Sequence, residues 1–146
     1  MAEDTVDHAA VIGQLDTRQS ITSGLQINGY HQHSEGFGEY GIYGSDAPAL
    51  QQLIQEDKKY GKQLHPDFNT KTGEVVWAVR NEMARTVDDF LSRRTRILLL
   101  NARASVEAAE VVAELMAKEL DKNKKWIKSQ IDTYKLIAQH YIVGTD

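Results

Sequence analysis

Four stretches after residue 45 carry apolar residues at three- and four-residue spacing, and this recurrence constrains the chain more than any other feature. Each apolar stripe must be covered, and short connections favour antiparallel neighbours, so the pattern predicts an all-α fold, a small helical bundle of about four main helices. The first helix starts at Ser45 as N-cap, runs through Leu50, Leu53 and Ile54, and closes at Tyr60-Gly61. The second takes Thr72 as N-cap and covers 74–96, and Leu98 to Asn101 ends or bends it. The third covers 102–120, with Ala104, Ala108, Val111, Val112, Leu115 and Met116 in its stripe. The last carries Trp126, Ile127, Ile131, Tyr134, Ile137, Ala138 and Tyr141. Residues 62–73, with His65-Pro66, read as a loop.

Ahead of the bundle, residues 1–15 read as a short helix, with Glu3 and Asp4 in the first turn and Gly13 near the end. Residues 16–44 dissolve into Thr, Ser, Gln, His and six glycines, a long irregular connector of the kind that leans on something outside the domain. The division is therefore 1–15, 16–44 and a helical domain over 45–146. A chain of 146 residues with 41% hydrophobic content is the size of one globular domain. A net charge of -4 argues against nucleic acid as a partner, and the lack of cysteine excludes disulfides and thiolate chemistry. Without an apolar run of membrane-spanning length or a basic, apolar leader at Met1, the expectation is a cytoplasmic chain.

The second helix poses a problem. Stepping about 100° per residue from Val76 keeps Val79, Met83, Val87 and Phe90 on one side and returns Arg94 to the centre of that side. A buried guanidinium needs a partner, so the pattern predicts either a carboxylate elsewhere in the fold for Arg94 or a stripe that ends against another surface. Glu82, Arg85, Asp89 and Arg93 alternate in sign along the same helix, as an exposed charge ladder would. Arg93, Arg94 and Arg96 together could alternatively grip an acidic or phosphate-bearing partner, as in a free-standing helical adaptor, or, as a third reading, nucleic acid. The favoured reading makes Glu82, Asp89, Arg93, Arg94 and Arg96 structural or interface residues.

The other motifs carry no chemistry. Gly36-Phe-Gly-Glu-Tyr-Gly41 has the letters of a dinucleotide fingerprint, but a polar segment precedes it where a buried strand is required, so it reads as a glycine-rich turn. His31, His33 and Glu35 lack the further ligands of a zinc site. Glu107, Glu110 and Glu114 read as a solvated acidic face, and no nucleophile is flanked by a base. No catalytic, cofactor-binding or metal-binding residue is assigned.

At Glu82-Met-Ala-Arg-Thr-Val-Asp-Asp-Phe-Leu-Ser-Arg-Arg-Thr-Arg96 the chain resembles the C-terminal helical domain of the FAD-dependent glycerol-3-phosphate dehydrogenases. Tyr43-Gly44, Glu74-Val-Val-Trp-Ala-Val-Arg80 and Val112-Ala-Glu-Leu-Met-Ala117 extend the resemblance over most of residues 43–120, and Met1 to Ala9 looks like the last helix of the family's flavin-binding domain. The resemblance implies a parent that oxidises sn-glycerol 3-phosphate to dihydroxyacetone phosphate and passes electrons through FAD to a membrane quinone. The flavin fold and substrate residues of the family lie upstream of the matched part, so this chain is implied to be an accessory domain, inactive alone and without cofactor. The partners implied are the upstream flavin domain and a second copy in a homo-oligomer. Membrane contact is expected only peripherally through the parent, at the inner face of the cell membrane.

Overall fold

Five consecutive apolar residues, Val75 to Val79, are too many for one stripe of a surface helix. In the computed structural model, which describes residues 1–144, the helix that carries them is enclosed: α3 (Thr72–Asn81) is buried from Thr72 through Val79. Val75, Ala78 and Val79 enter the main core, while Val76 and Trp77 enter a smaller one with Leu50 and Leu53.

The elements before α3 are α1 (Ala2–Ile12), a run of 3-10 turns over Ser34–Asp46, α2 (Ala47–Glu56) and an antiparallel hairpin, β1 (Gln63–His65) and β2 (Phe68–Lys71). After it come a π-helical turn (Asp89–Arg94), α4 (Ile97–Leu100), α5 (Ala102–Glu119) and α6 (Lys124–Gln139). The four main helices, α2, α3, α5 and α6, satisfy the all-α expectation. The main core joins α3 to Val87, Phe90 and Leu91 of the π-turn region, to Ala108, Val112 and Met116 of α5, and to Tyr134 and Ala138 of α6. Across the α5–α6 contact the buried Tyr134 hydroxyl donates to Ser105 Oγ at 3.0 Å, and Ser105 donates to the Ala102 carbonyl at 2.8 Å. Both helices start on asparagine caps, Asn101 accepting from Ala104 N and Asn123 from Trp126 N.

Several expectations need correction. The helix expected over 74–96 stops at Asn81. The N–H groups of Glu82 and Ala84 both bond the Ala78 carbonyl, Met83 takes φ 58°, and its side chain is 75% exposed rather than on the stripe. The Arg85 guanidinium then bonds the Val79 carbonyl at the free end of α3, where a cation suits the helix dipole. The helical path restarts in a reciprocal cap: Thr86 Oγ1 accepts Asp89 N–H, and the Asp89 carboxylate accepts Thr86 N–H. Arg96, in the left-handed region at φ 57°, separates this turn from α4. The first bundle helix starts after Asp46 rather than at Ser45 and ends at Glu56. The loop expected over 62–73 contains the hairpin, with Lys71 rather than Thr72 as the N-cap of α3.

The connector is also less irregular than its composition suggests, because its second half folds onto the domain. Ser45 N–H donates to the Gly29 carbonyl at 3.1 Å, and Gly44, at φ 53°, lies so close that a Cβ on it would stand 1.8 Å from that oxygen. No side chain fits there, and the backbone conformation independently favours glycine. Gly44→Ala is expected to cost about 2 kcal/mol or more of unfolding free energy. Urea denaturation of the 146-residue chain checks this; an unchanged midpoint would mean that the Gly29–Gly44 contact does not persist in solution.

Candidate functional site

Glu74 lies in the first turn of α3, where unpaired N–H groups and the positive end of the helix favour a carboxylate. Its Oε1 accepts Lys71 N–H at 2.6 Å and its Oε2 accepts the Tyr43 hydroxyl at 2.7 Å, with the residue only 7% exposed. Burial pushes its pKa up, the bonds from Lys71 and Tyr43 oppose this, Glu39 adds to it, and the net direction is upward. Burial and then the Glu74 charge drive the Tyr43 hydroxyl far above the ordinary tyrosine range. Tyr40 is pushed up to about 12 by burial and by Glu39 and Glu74. Both phenols are therefore held as hydrogen-bond donors rather than bases. An open cavity of about 300 Å³ is lined by Tyr40 with Glu39, Asp67, Glu74, Thr95 and Leu100 among others and by no lysine or arginine. Carboxylates without a lining cation make a poor seat for a phosphate.

The five residues singled out from the sequence divide into two groups and a remainder. Arg94 lies with Nε 3.9 Å from Glu82 Oε2 and donates through Nη2 to the Glu82 carbonyl oxygen. Its partner is thus a carboxylate of the same domain, at a half-buried site, and not the centre of an apolar stripe. Burial raises the Glu82 pKa against the opposing effect of Arg94, and Asp46 adds to the rise. Arg93 bonds Asp88 at 3.0 Å and approaches Asp89 at 3.5 Å. Asp89 accepts both the Arg85 and Thr86 N–H groups at 3.0 Å. Burial pushes the Asp89 pKa up, but the hydrogen bonds from Arg85 and Thr86, with Arg93, outweigh it and hold the group below the usual aspartate range. Arg96 is exposed and, among the described residues, has no ion-pair partner. The expected ladder from Glu82 to Arg85 does not form, since Arg85 bonds backbone carbonyls. The three arginines thus differ in their contacts, Arg93 pairing with Asp88 and Asp89 and Arg94 with Glu82.

Elsewhere His31 stacks tilted on Phe37 and His33 lies 3.4 Å from Glu35. Among the described residues no three of His, Asp and Glu converge as a metal site. The Gly36–Gly41 segment lies within the 3-10 turns, with no strand before it, so its residues do not fit the pyrophosphate of a dinucleotide. Sequence reasoning missed three contacts: Tyr43–Glu74, His65–Glu107 at 3.1 Å, and the two-pronged Arg80–Glu119 pair at 2.7 and 3.1 Å. Only the first left a signal, a glutamate at the third helical position, where capping carboxylates sit.

The class defined by this fold is a small, mainly helical domain. A family model described as the C-terminal domain of alpha-glycerophosphate oxidase matches residues 40–127, and the chain belongs to that family. It is 30% identical, over nine-tenths of its length, to a probable mitochondrial glycerol-3-phosphate dehydrogenase of Caenorhabditis elegans, covering 21% of that protein. Identity is also 30% to the mitochondrial glycerol-3-phosphate dehydrogenases of Mus musculus, with 91% of the chain and 21% of the relative covered, and of Arabidopsis thaliana, with 89% and 25% covered. The chain thus spans about a fifth to a quarter of the relatives it matches. No solved structure matches it.

Two carboxyls, the buried Glu74 and the partly buried Asp89, make opposite contributions to acid stability. Glu74, with its folded pKa raised, contributes most below its unfolded pKa and loses that contribution as pH rises through the folded value. Asp89, with its folded pKa lowered, contributes above its unfolded pKa and loses the contribution as pH falls through the folded value. Asp89→Asn is expected to cost about 1 kcal/mol at pH 7, as for a lost helix cap, with the gap closing in acid. Glu74→Gln should abolish the loss on raising the pH from the ordinary glutamate range. Denaturation midpoints measured across pH check both signs, and parallel profiles for wild type and Asp89→Asn would contradict the first.

Proposed function

We propose that this chain is the C-terminal accessory domain of an aerobic-type glycerol-3-phosphate dehydrogenase. The parent would oxidise sn-glycerol 3-phosphate to dihydroxyacetone phosphate and pass the electrons through FAD to quinone, while this domain packs on the catalytic portion or assists assembly. The observation that carries the proposal is the coincidence of the family match over residues 40–127 with alignment to only a fifth of relatives named for that activity. A silent role for the domain is supported by Arg85, Asp89, Arg80 and Glu119, which are engaged in capping and pairing, and by a cavity with carboxylates on its walls. Flavin would be held by the upstream portion, since the glycine segment here does not fit it.

In this proposal residues 1–15 are the tail helix of the flavin domain and the connector is the crossing to the helical domain. The parent is assigned to the cytoplasmic side, at the inner face of the cell membrane, and association there would be peripheral. No helix among the described residues is long and apolar enough to cross a membrane. The relatives named above are mitochondrial by name.

The purified 146-residue chain is expected to show no flavin absorption and no glycerol-3-phosphate oxidation. The full-length polypeptide of the same reading frame should carry stoichiometric flavin and reduce a quinone analogue when given sn-glycerol 3-phosphate. A yellow 146-residue chain, or a full-length protein inert to that substrate, would overturn the assignment.

A further inference from the structure

Residues 1–28 contain no buried residue, although they include seven large hydrophobic side chains besides Met1. Val11 is 70% exposed and Ile12 is 84% exposed. The second half of α1, Ala9-Ala-Val-Ile12, is apolar without interruption. At about 100° per residue, Ile12 lies about 120° from Val6 on one side and Val11 about 140° on the other. One flat neighbour cannot cover all three, and a helix apolar on every side belongs inside a packed unit. The charged residues Glu3, Asp4, Asp7 and His8 are confined to the first half, as for a helix whose second half alone is inserted.

The comparisons separate this arm from the helical domain. The family model begins at residue 40, yet the match to the Caenorhabditis elegans relative takes in 90% of the chain. The residues after 127 are too few to supply the difference, so more than half of those before 40 align as well. At least part of the arm has a counterpart in the relatives while lying outside the domain model, and three-quarters or more of each relative lies outside this chain.

We propose that residues 1–28 are a docking arm for the rest of the parent polypeptide, an inference that rests on the parent assignment above. Val11, Ile12 and Leu15 insert into an apolar groove of that larger portion, and Ile21, Leu25 and Ile27 extend the contact. The contact ends at Gly29, where the backbone is held against Gly44 and the helical domain begins. The docking element is therefore longer than the tail helix and includes half of the connector.

Hydrogen exchange on the full-length polypeptide and on the 146-residue chain tests this. An 11-residue helix without tertiary support is marginal, so amides 9–27 should exchange at least tenfold more slowly in the full-length protein. Val11→Ser with Ile12→Ser should remove that protection and give the helical domain its own melting transition in the full-length protein. The same pair should leave the melting of the 146-residue chain unchanged. Equal exchange in the two proteins, or a lowered melting temperature of the 146-residue variant, would overturn the docking arm. Flavin content of the same preparation reports on the parent separately. Protection without flavin would overturn the parent assignment alone, and flavin without protection the docking arm alone.

Discussion

The helical domain depends on the enclosure of α3. A ten-residue helix buried from Thr72 through Val79, with both cores packed against it, leaves little water to satisfy its terminal backbone groups, so these are closed by specific groups. At the N-terminus Glu74 accepts from Lys71 N–H and from Tyr43, which ties the 3-10 turns to the helix. At the C-terminus the guanidinium of Arg85 takes the Val79 carbonyl, and the chain reverses through Met83. Most of the charged residues that look functional in the sequence serve this closure or the cap that restarts the helical path at Thr86.

This arrangement explains what could be read from the sequence. The α5 and α6 stripes are one-sided, because each helix packs on the core along one face and meets water on the other, so spacing alone located them. The α3 run has no such alternation, and the apolar residues after it, Val87 and Phe90, coincide with its phase only by number. A one-helix extrapolation therefore carried Arg94 into an apolar stripe that the break at Met83 removes. Nothing in the local composition of Glu82-Met-Ala-Arg marks that break. It is imposed by the Ala78 carbonyl accepting from both Glu82 and Ala84.

The candidate site was legible in part. That Arg94 needs a carboxylate followed from electrostatics, and Glu82 is that carboxylate, twelve residues back and reachable only because the chain turns. The Tyr43–Glu74 bond spans 31 residues and the Arg80–Glu119 pair spans 39, and contacts of that separation leave no spacing to detect. The glycine-rich connector misled for another reason. Glycines suggest freedom, but Gly29 and Gly44 are there for a close backbone approach.

The central claim is that this domain supports an enzyme without taking part in its chemistry. The most direct measurement compares the full-length polypeptide with a version cut after Asn28, by following flavin reduction on addition of sn-glycerol 3-phosphate. The account predicts that the shortened protein binds flavin and reduces it at a rate within a few-fold of the full-length protein, but unfolds at lower temperature. A folded, flavin-loaded shortened protein that no longer accepts electrons from the substrate would contradict it.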